Sequence, residues 1–159
     1  MTDSSPFGGW AISKQLFDWL LKALPKKSTI LELGSGSGTE QLARHFRMVS
    51  VEHDPAYVGL YASTYIHAPI VKGWYDAAIV GKALSRLEVR YDLLLIDGPP
   101  QRFGRAGILR HLGLFDLTKP IVLDDVHRAS ERELLEVLAK RVGRRRKIFS
   151  DGVKSFGVL

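Results

Sequence analysis

The 159 residues carry 23 lysines and arginines against 17 aspartates and glutamates, a formal charge of +6, with 45% apolar residues and no cysteine. That length supports one domain with a proper core and is too short for two; the apolar share excludes a disordered chain, and zero cysteines exclude disulfides and thiolate metal sites. No apolar run approaches the ~20 residues that span a bilayer, and Met1–Pro6 has neither the basic start nor the apolar stretch of a secretory signal, so a cytoplasmic protein with no membrane partner is expected.

Ser13 to Leu24 places Leu16, Leu20 and Leu24 on one face of a helix that Pro25 stops. Residues 1–24 are expected to form a helical extension of a single domain spanning 1–159. Thr29–Leu33 is an apolar strand that runs into Gly34-Ser35-Gly36-Ser37-Gly38, with a helix expected over Thr39–Phe46. A second strand, Met48–Glu52, leads to Asp54-Pro55, an N-cap and first-turn pair for a helix through Tyr61. Tyr65–Val71 reads as a third strand, and a helix is expected within Asp76–Leu87. Tyr91–Asp97 is a buried fourth strand. Gly98-Pro99-Pro100 ends it, and Arg105–Leu114 is expected to be helical. Pro120–Asp124 is the fifth strand. Ser130 and Glu133 form a capping-box pair before a helix carrying Leu134, Leu135, Leu138 and Val142. Lys147–Ser150 and Ser155–Leu159 flank Asp151-Gly152, a hairpin signal. Alternating strand and helix signals predict an α/β fold. Five such units closed by a hairpin give a Rossmann-like, seven-stranded, mostly parallel sheet with an antiparallel end.

The glycine turn carries the first functional signal. Glycines let the backbone turn sharply and approach a ligand closely, and the helix that follows would aim its N–H groups at a carboxylate or phosphate. A dinucleotide fingerprint read from Gly34 needs Gly or Ala at position 39, where Thr39 stands, and the Gly-Lys-Ser/Thr of a P-loop is absent. Glu32 precedes the first glycine by two positions. Glu52, at the end of the second strand, lies where an acid accepts hydrogen bonds from both ribose hydroxyls; Asp54 reads as an N-cap.

Asp97, Asp124 and Asp125 fall at the carboxyl ends of the fourth and fifth strands, where open α/β sheets bind ligands. Three converging carboxylates repel one another unless a cation or protons intervene, and such a density suits Mg²⁺. Alternatively, Asp97 contacts a cofactor's ammonium group while Asp124 and Asp125 cap the next loop. His127 is a candidate base, with an unperturbed pKa near neutrality, or a loop bystander. Arg102 and Arg105 follow the fourth strand and could recognise a carboxylate or phosphate on a substrate, or form a solvated basic face. Arg141, Arg144, Arg145, Arg146 and Lys147 suit a phosphate backbone or a solvated helix end, where cations match the negative pole of the helix; no aromatic residue is interleaved to stack bases, which favours the helix end.

Glu-Leu-Gly-Ser-Gly-Ser-Gly, Val-Glu-His-Asp, Tyr-Asp-Leu-Leu-Leu-Ile-Asp-Gly-Pro-Pro and Val-Leu-Asp-Asp together resemble the class I S-adenosylmethionine-dependent methyltransferases. The resemblance is to small O-methyltransferases related to the catechol and bacterial sugar enzymes, and it covers nearly the whole chain. It implies the Rossmann-like methyltransferase fold. S-adenosylmethionine would lie over Gly34, Ser35, Gly36, Gly38 and Thr39, with Glu32, Glu52, His53 and Asp97 around it and Trp10 and Ser13 beside its methionine moiety. Asp97, Asp124 and Asp125 would bind Mg²⁺ next to an acceptor hydroxyl, and Asp97 or His127 would take the proton. The chain lacks the helices and insertions that build a substrate lid in those families, and no lysine partner for the metal site is evident. The expected acceptor is a small molecule or glycan. An RNA methyltransferase using Arg141–Lys147, and a non-catalytic cofactor-binding module that needs a partner, are the alternatives.

Overall fold

The computed structural model describes Phe7 and residues 11–159, so the expectation for Trp10 lies outside the described residues. Four α-helices are formed, α1 (Lys14–Ala23), α2 (Ser37–Leu42), α3 (Ala77–Arg86) and α4 (Ala129–Val142). The strands are β1 (Thr29–Leu33), β2 (Arg47–Glu52), β3 (Thr64–His67), β4 (Ile70–Val71), β5 (Trp74–Tyr75), β6 (Leu93–Ile96), β7 (Ile121–Leu123), β8 (Lys147–Ser150) and β9 (Ser155–Val158). Seven of them make one sheet in the order β3-β2-β1-β6-β7-β9-β8, and β4 pairs with β5 in a separate two-stranded sheet. The first five of the seven run parallel. β9 is antiparallel to both β7 and β8. The expected mostly parallel sheet with an antiparallel end is the observed one.

Both faces of the sheet are covered, which is why its central strands read as unbroken apolar runs. Ile30, Leu93, Leu95 and Val122 join Leu16, Leu20, Leu42 and Phe46 on one face. Leu31, Leu33, Leu94, Ile96, Ile121 and Leu123 join Val80, Leu134, Leu135 and Leu138 on the other. Local chemistry sets the helix ends. Ser13 caps α1, its side chain accepting from Leu16 N at 3.1 Å. The Asp76 side chain caps α3, accepting from Ala78 N and Ile79 N. Gly143 closes α4 at φ 67°, a left-handed stop that favours glycine. No helix among the described residues is long and apolar enough to cross a membrane.

Several local expectations are corrected. The helix after the glycine turn begins earlier and is shorter than Thr39–Phe46, because Thr39 is already inside its first turn with its hydroxyl accepting from Gly36 N. Residues 54–61 form turns rather than a helix. Asp54 does cap, accepting from Ala56 N at 2.9 Å, but Gly59 then adopts φ 80° and ends any helical run. The stretch expected as one strand over Tyr65–Val71 divides at Pro69, which cannot donate to a ladder. Its second part turns back through Lys72 and Gly73, both at positive φ, to pair with Trp74-Tyr75. Residues 105–114 make two short 3-10 turns, Ala106–Arg110 and Leu112–Leu114, instead of an α-helix. Gly107 is pressed so closely on Trp74 that an added Cβ would lie 2.6 Å from Trp74 Cβ. The expected capping box is also shifted: α4 begins at Ala129, and Ser130 donates to Glu131 within the first turn.

Candidate active site

A cleft of about 890 Å³ opens over the carboxyl ends of β1, β2 and β6, lined by the glycine turn, Glu52, His53, Asp97, Arg102, Arg105, Asp125 and Arg128 among others. Its floor is where two strand ends meet. Gly34 turns at φ 88° and packs backbone to backbone on Gly98, where an added Cβ would lie 2.9 Å from Gly34 Cα and 2.3 Å from the Tyr75 hydroxyl. Gly38 lies against Ile12, 3.1 Å from an added Cβ. Gly36 is different. Its backbone is extended, at φ −175°, and an added Cβ would meet no described atom within 4 Å. Neither strain nor packing explains that glycine.

Glu52 is 3% exposed and organises the rim. One carboxylate oxygen accepts from His53 N at 2.7 Å and Asp54 N at 2.9 Å, and the other from Ser35 N at 2.9 Å and Ser35 Oγ at 3.0 Å. The amides ahead of α2 are spent within the chain: Gly34 N donates to Val51 O, Ser35 N to Glu52 and Gly36 N to Thr39. His53 Nδ1 lies 2.9 Å from Glu52 Oε1, and its ring meets Phe103 edge-on at 5.5 Å. Glu32 sits deeper, opposite Ser50 in the β1–β2 register. It accepts from Ser50 and Thr39. Burial, aided by the charge of Glu52 and opposed by those two hydroxyls, raises its pKa to about 7.

The three aspartates do converge: one carboxylate oxygen from each of Asp97, Asp124 and Asp125 falls within 4.8 Å of the others. Asp125 reaches in because its backbone adopts φ 61°, a conformation that aspartate tolerates better than most residues. Asp97 and Asp125 face the cleft, and Asp124 lies beneath, 1% exposed. The chain's own cations fill the space among them. Arg105 Nη2 is 2.9 Å from Asp125 Oδ2 and 3.2 Å from Asp97 Oδ1, and Nη1 donates to Asp124 O at 2.9 Å. Arg128 Nη1 lies 3.0 Å from Asp125 Oδ2. Lys154 Nζ is 3.5 Å from Asp125 Oδ1 and 3.9 Å from Asp124 Oδ2. Burial and the charge of Asp124 push the Asp97 pKa well up, against the pull of Arg105. Burial and Asp125 raise that of Asp124. Burial would raise Asp125 too, but Arg105, Lys154 and Arg128 together hold it below the usual carboxylate range.

Several expected site residues take other places. Arg105 is 5% exposed with its guanidinium turned inward to the aspartates, so it does not present itself to an acceptor. Arg102 lines the cleft, its guanidinium 4.8 Å from the Phe103 ring centroid. Ser13 is 4% exposed and occupied as the cap of α1. His127 is exposed and absent from the cleft lining, with Nδ1 3.4 Å from Ser155 N. Of the basic cluster, Arg144 turns inward to the carbonyls of Leu117, Lys119 and Leu159, and Arg146 pairs with Glu136. Lys119 precedes β7, so this cluster lies at the amino end of the sheet, opposite the cleft.

No protein-family model matches the chain, and no curated protein matches it by sequence. Solved structures do match in three dimensions. The MycE methyltransferase of the mycinamycin pathway, in complex with Mg and SAH, superposes with TM-score 0.57 at 14% identity over 90% of this chain and 44% of its own. This is the Rossmann-like methyltransferase fold. A fibrillarin from Aeropyrum pernix with bound S-adenosyl-L-methionine gives 0.55 at 17% identity over 91% and 73% of the two chains. A Pyrococcus furiosus methyltransferase gives 0.55 at 14% identity over 91% and 79%. The chain thus spans about half the length of MycE.

Set on this fold, the site includes two cations that the sequence analysis does not identify. Lys154 gives no local signal, since only the closure of the β8–β9 hairpin carries it to the aspartates. Arg128 does leave one. An arginine at a helix N-cap opposes the helix dipole, and its presence there implies a nearby acid, which is Asp125.

Proposed function

We propose that this chain binds S-adenosylmethionine in the cleft above Gly34–Gly38 and transfers its methyl group to a hydroxyl of a small-molecule or sugar acceptor. The observation that carries the reading is Gly36, a glycine that faces open space with an unstrained backbone. A bound ligand's need for close approach supplies the reason for it. Glu52 supports the same reading. Its carboxylate stands at the rim, and Ser35 Oγ, a donor that can rotate away, holds one of its acceptor positions as a ribose hydroxyl would. The fold shared with structures holding SAH or S-adenosyl-L-methionine agrees with it.

Bound there, S-adenosylmethionine supplies a methyl group on a positively charged sulfur. The chain's contribution is orientation and proton handling. Asp97 keeps 21% of its side chain exposed and faces the cleft. Burial raises its pKa, making its carboxylate a better base for an acceptor hydroxyl than an ordinary aspartate. Arg128 and Arg102 line the same wall and suit an acceptor that carries negative charge. The Mg²⁺ implied by the resemblance does not fit the aspartates as they are built, because Arg105 Nη2 bridges the two carboxylate oxygens it would join.

The nucleic-acid reading is weaker. Its basic cluster lies at the far end of the sheet, with Arg144 and Arg146 already occupied. Calorimetry tests the main reading: S-adenosylmethionine and S-adenosylhomocysteine should bind with one site per chain, and NAD should not. Absence of binding by either would overturn it. Mass spectrometry across small hydroxyl acceptors, read for methyl gain, then separates an enzyme from a binding module.

A further inference from the structure

We infer that the strand-end aspartates are neutralised by the chain itself, with Arg105, Arg128 and Lys154 as built-in counter-ions, so that Asp97, Asp124 and Asp125 take no divalent cation. Three cations stand against the three acids. The placement matters more than the count. A Mg²⁺ shared by Asp97 and Asp125 would sit about 2 Å from an oxygen of each. Arg105 Nη2 already bridges Asp97 Oδ1 and Asp125 Oδ2, at 3.2 and 2.9 Å.

Arg105 is anchored there. It is 5% exposed, and its nitrogens also hold the backbone oxygens of Asp97 and Asp124, each at 2.9 Å. One group therefore ties the end of β6 to the end of β7 while satisfying the carboxylates between them. Leaving would strand buried acids without a counter-charge, a heavily penalised state. Asp124 keeps both oxygens, and Asp125 its Oδ1, without a hydrogen-bond partner, but Lys154 Nζ already stands beside them as their cation, 3.9 Å from Asp124 Oδ2 and 3.5 Å from Asp125 Oδ1. Arg105 is here a positioning residue.

The inference holds whatever the acceptor and does not depend on methyl transfer, so its test reads metal binding alone. Mn²⁺ is titrated into the full chain and followed by the paramagnetic resonance of the free ion. The wild type should leave that signal undiminished to about 1 mM, the weak end of protein oxygen sites. Arg105→Met, shown to be folded by circular dichroism, should take up one equivalent at least about tenfold more tightly, and adding Asp124→Asn should abolish the gain. Stoichiometric uptake by the wild type that Asp124→Asn removes would overturn the inference. A folded Arg105→Met that binds nothing would overturn the role of Arg105. Should Arg105→Met not fold, the gain is read in Lys154→Met, and its absence there counts equally against the counter-ion assignment.

Discussion

Two residues separate what the fold needs from what a ligand needs. Gly36→Val should fold and melt like the wild type, because an added Cβ meets no described atom within 4 Å, yet it should lose S-adenosylmethionine binding in calorimetry. A variant that binds normally would remove the main support for the cofactor site. Glu32 makes a claim about pH. Its pKa rises from 4.5 to about 7 in the fold, so the stability it confers is full below about pH 4.5 and is lost as pH climbs through about 7. Above that the buried charge costs about 3 kcal/mol, at ~1.4 kcal/mol for each tenfold change in proton affinity. Glu32→Gln should therefore gain on the wild type by about that amount between pH 4.5 and 8 in denaturant melts; parallel pH curves would show that Glu32 is not the titrating group. At this scale the glycine turn, Glu52 and the three aspartates were legible, because strand-end positions in a parallel sheet all gather at one edge. The direction of Arg105 was not, since it depends on a 3-10 path that the apolar spacing of Ile108 and Leu109 does not distinguish from a helix.

Among elements, the contact between the ends of β1 and β6 is the tightest test. Gly98→Ala would drive a methyl to 2.9 Å from Gly34 Cα and 3.0 Å from Leu33 O, backbone atoms that cannot swing aside. A loss of about 1–3 kcal/mol is expected, measured as a lowered melting point, whereas Gly36→Ala should be neutral. Elements bounded by strong signals on both sides were readable, such as Thr29–Leu33 ahead of Gly34 and the hairpin around Asp151-Gly152. Residues 54–61 were not. The Asp54-Pro55 signal serves a single turn as well as a helix, and the choice falls to Gly59. Pro69 was visible in the sequence, but the partner it frees Ile70 and Val71 to find, Trp74-Tyr75, lies in a hairpin too short for a periodic pattern.

For the whole molecule, the basic end and the cleft are separate surfaces. Arg141→Glu with Arg145→Glu should abolish any salt-sensitive RNA binding and leave S-adenosylmethionine affinity unchanged; a matching fall in both would join surfaces that the fold keeps apart. Lys154 carries a different consequence. It reaches the carbonyl of Ala11 and lies beside Asp124 and Asp125, so one ammonium ties the β8–β9 hairpin to the segment ahead of α1. All three aspartates, Arg105 and Arg128 sit on other elements, so Lys154 joins them only when β9 pairs with β7. Until then three acids share two guanidinium groups. Long-range closure of this kind is slow relative to local structure, so this edge of the cleft should gain its last cation late in folding.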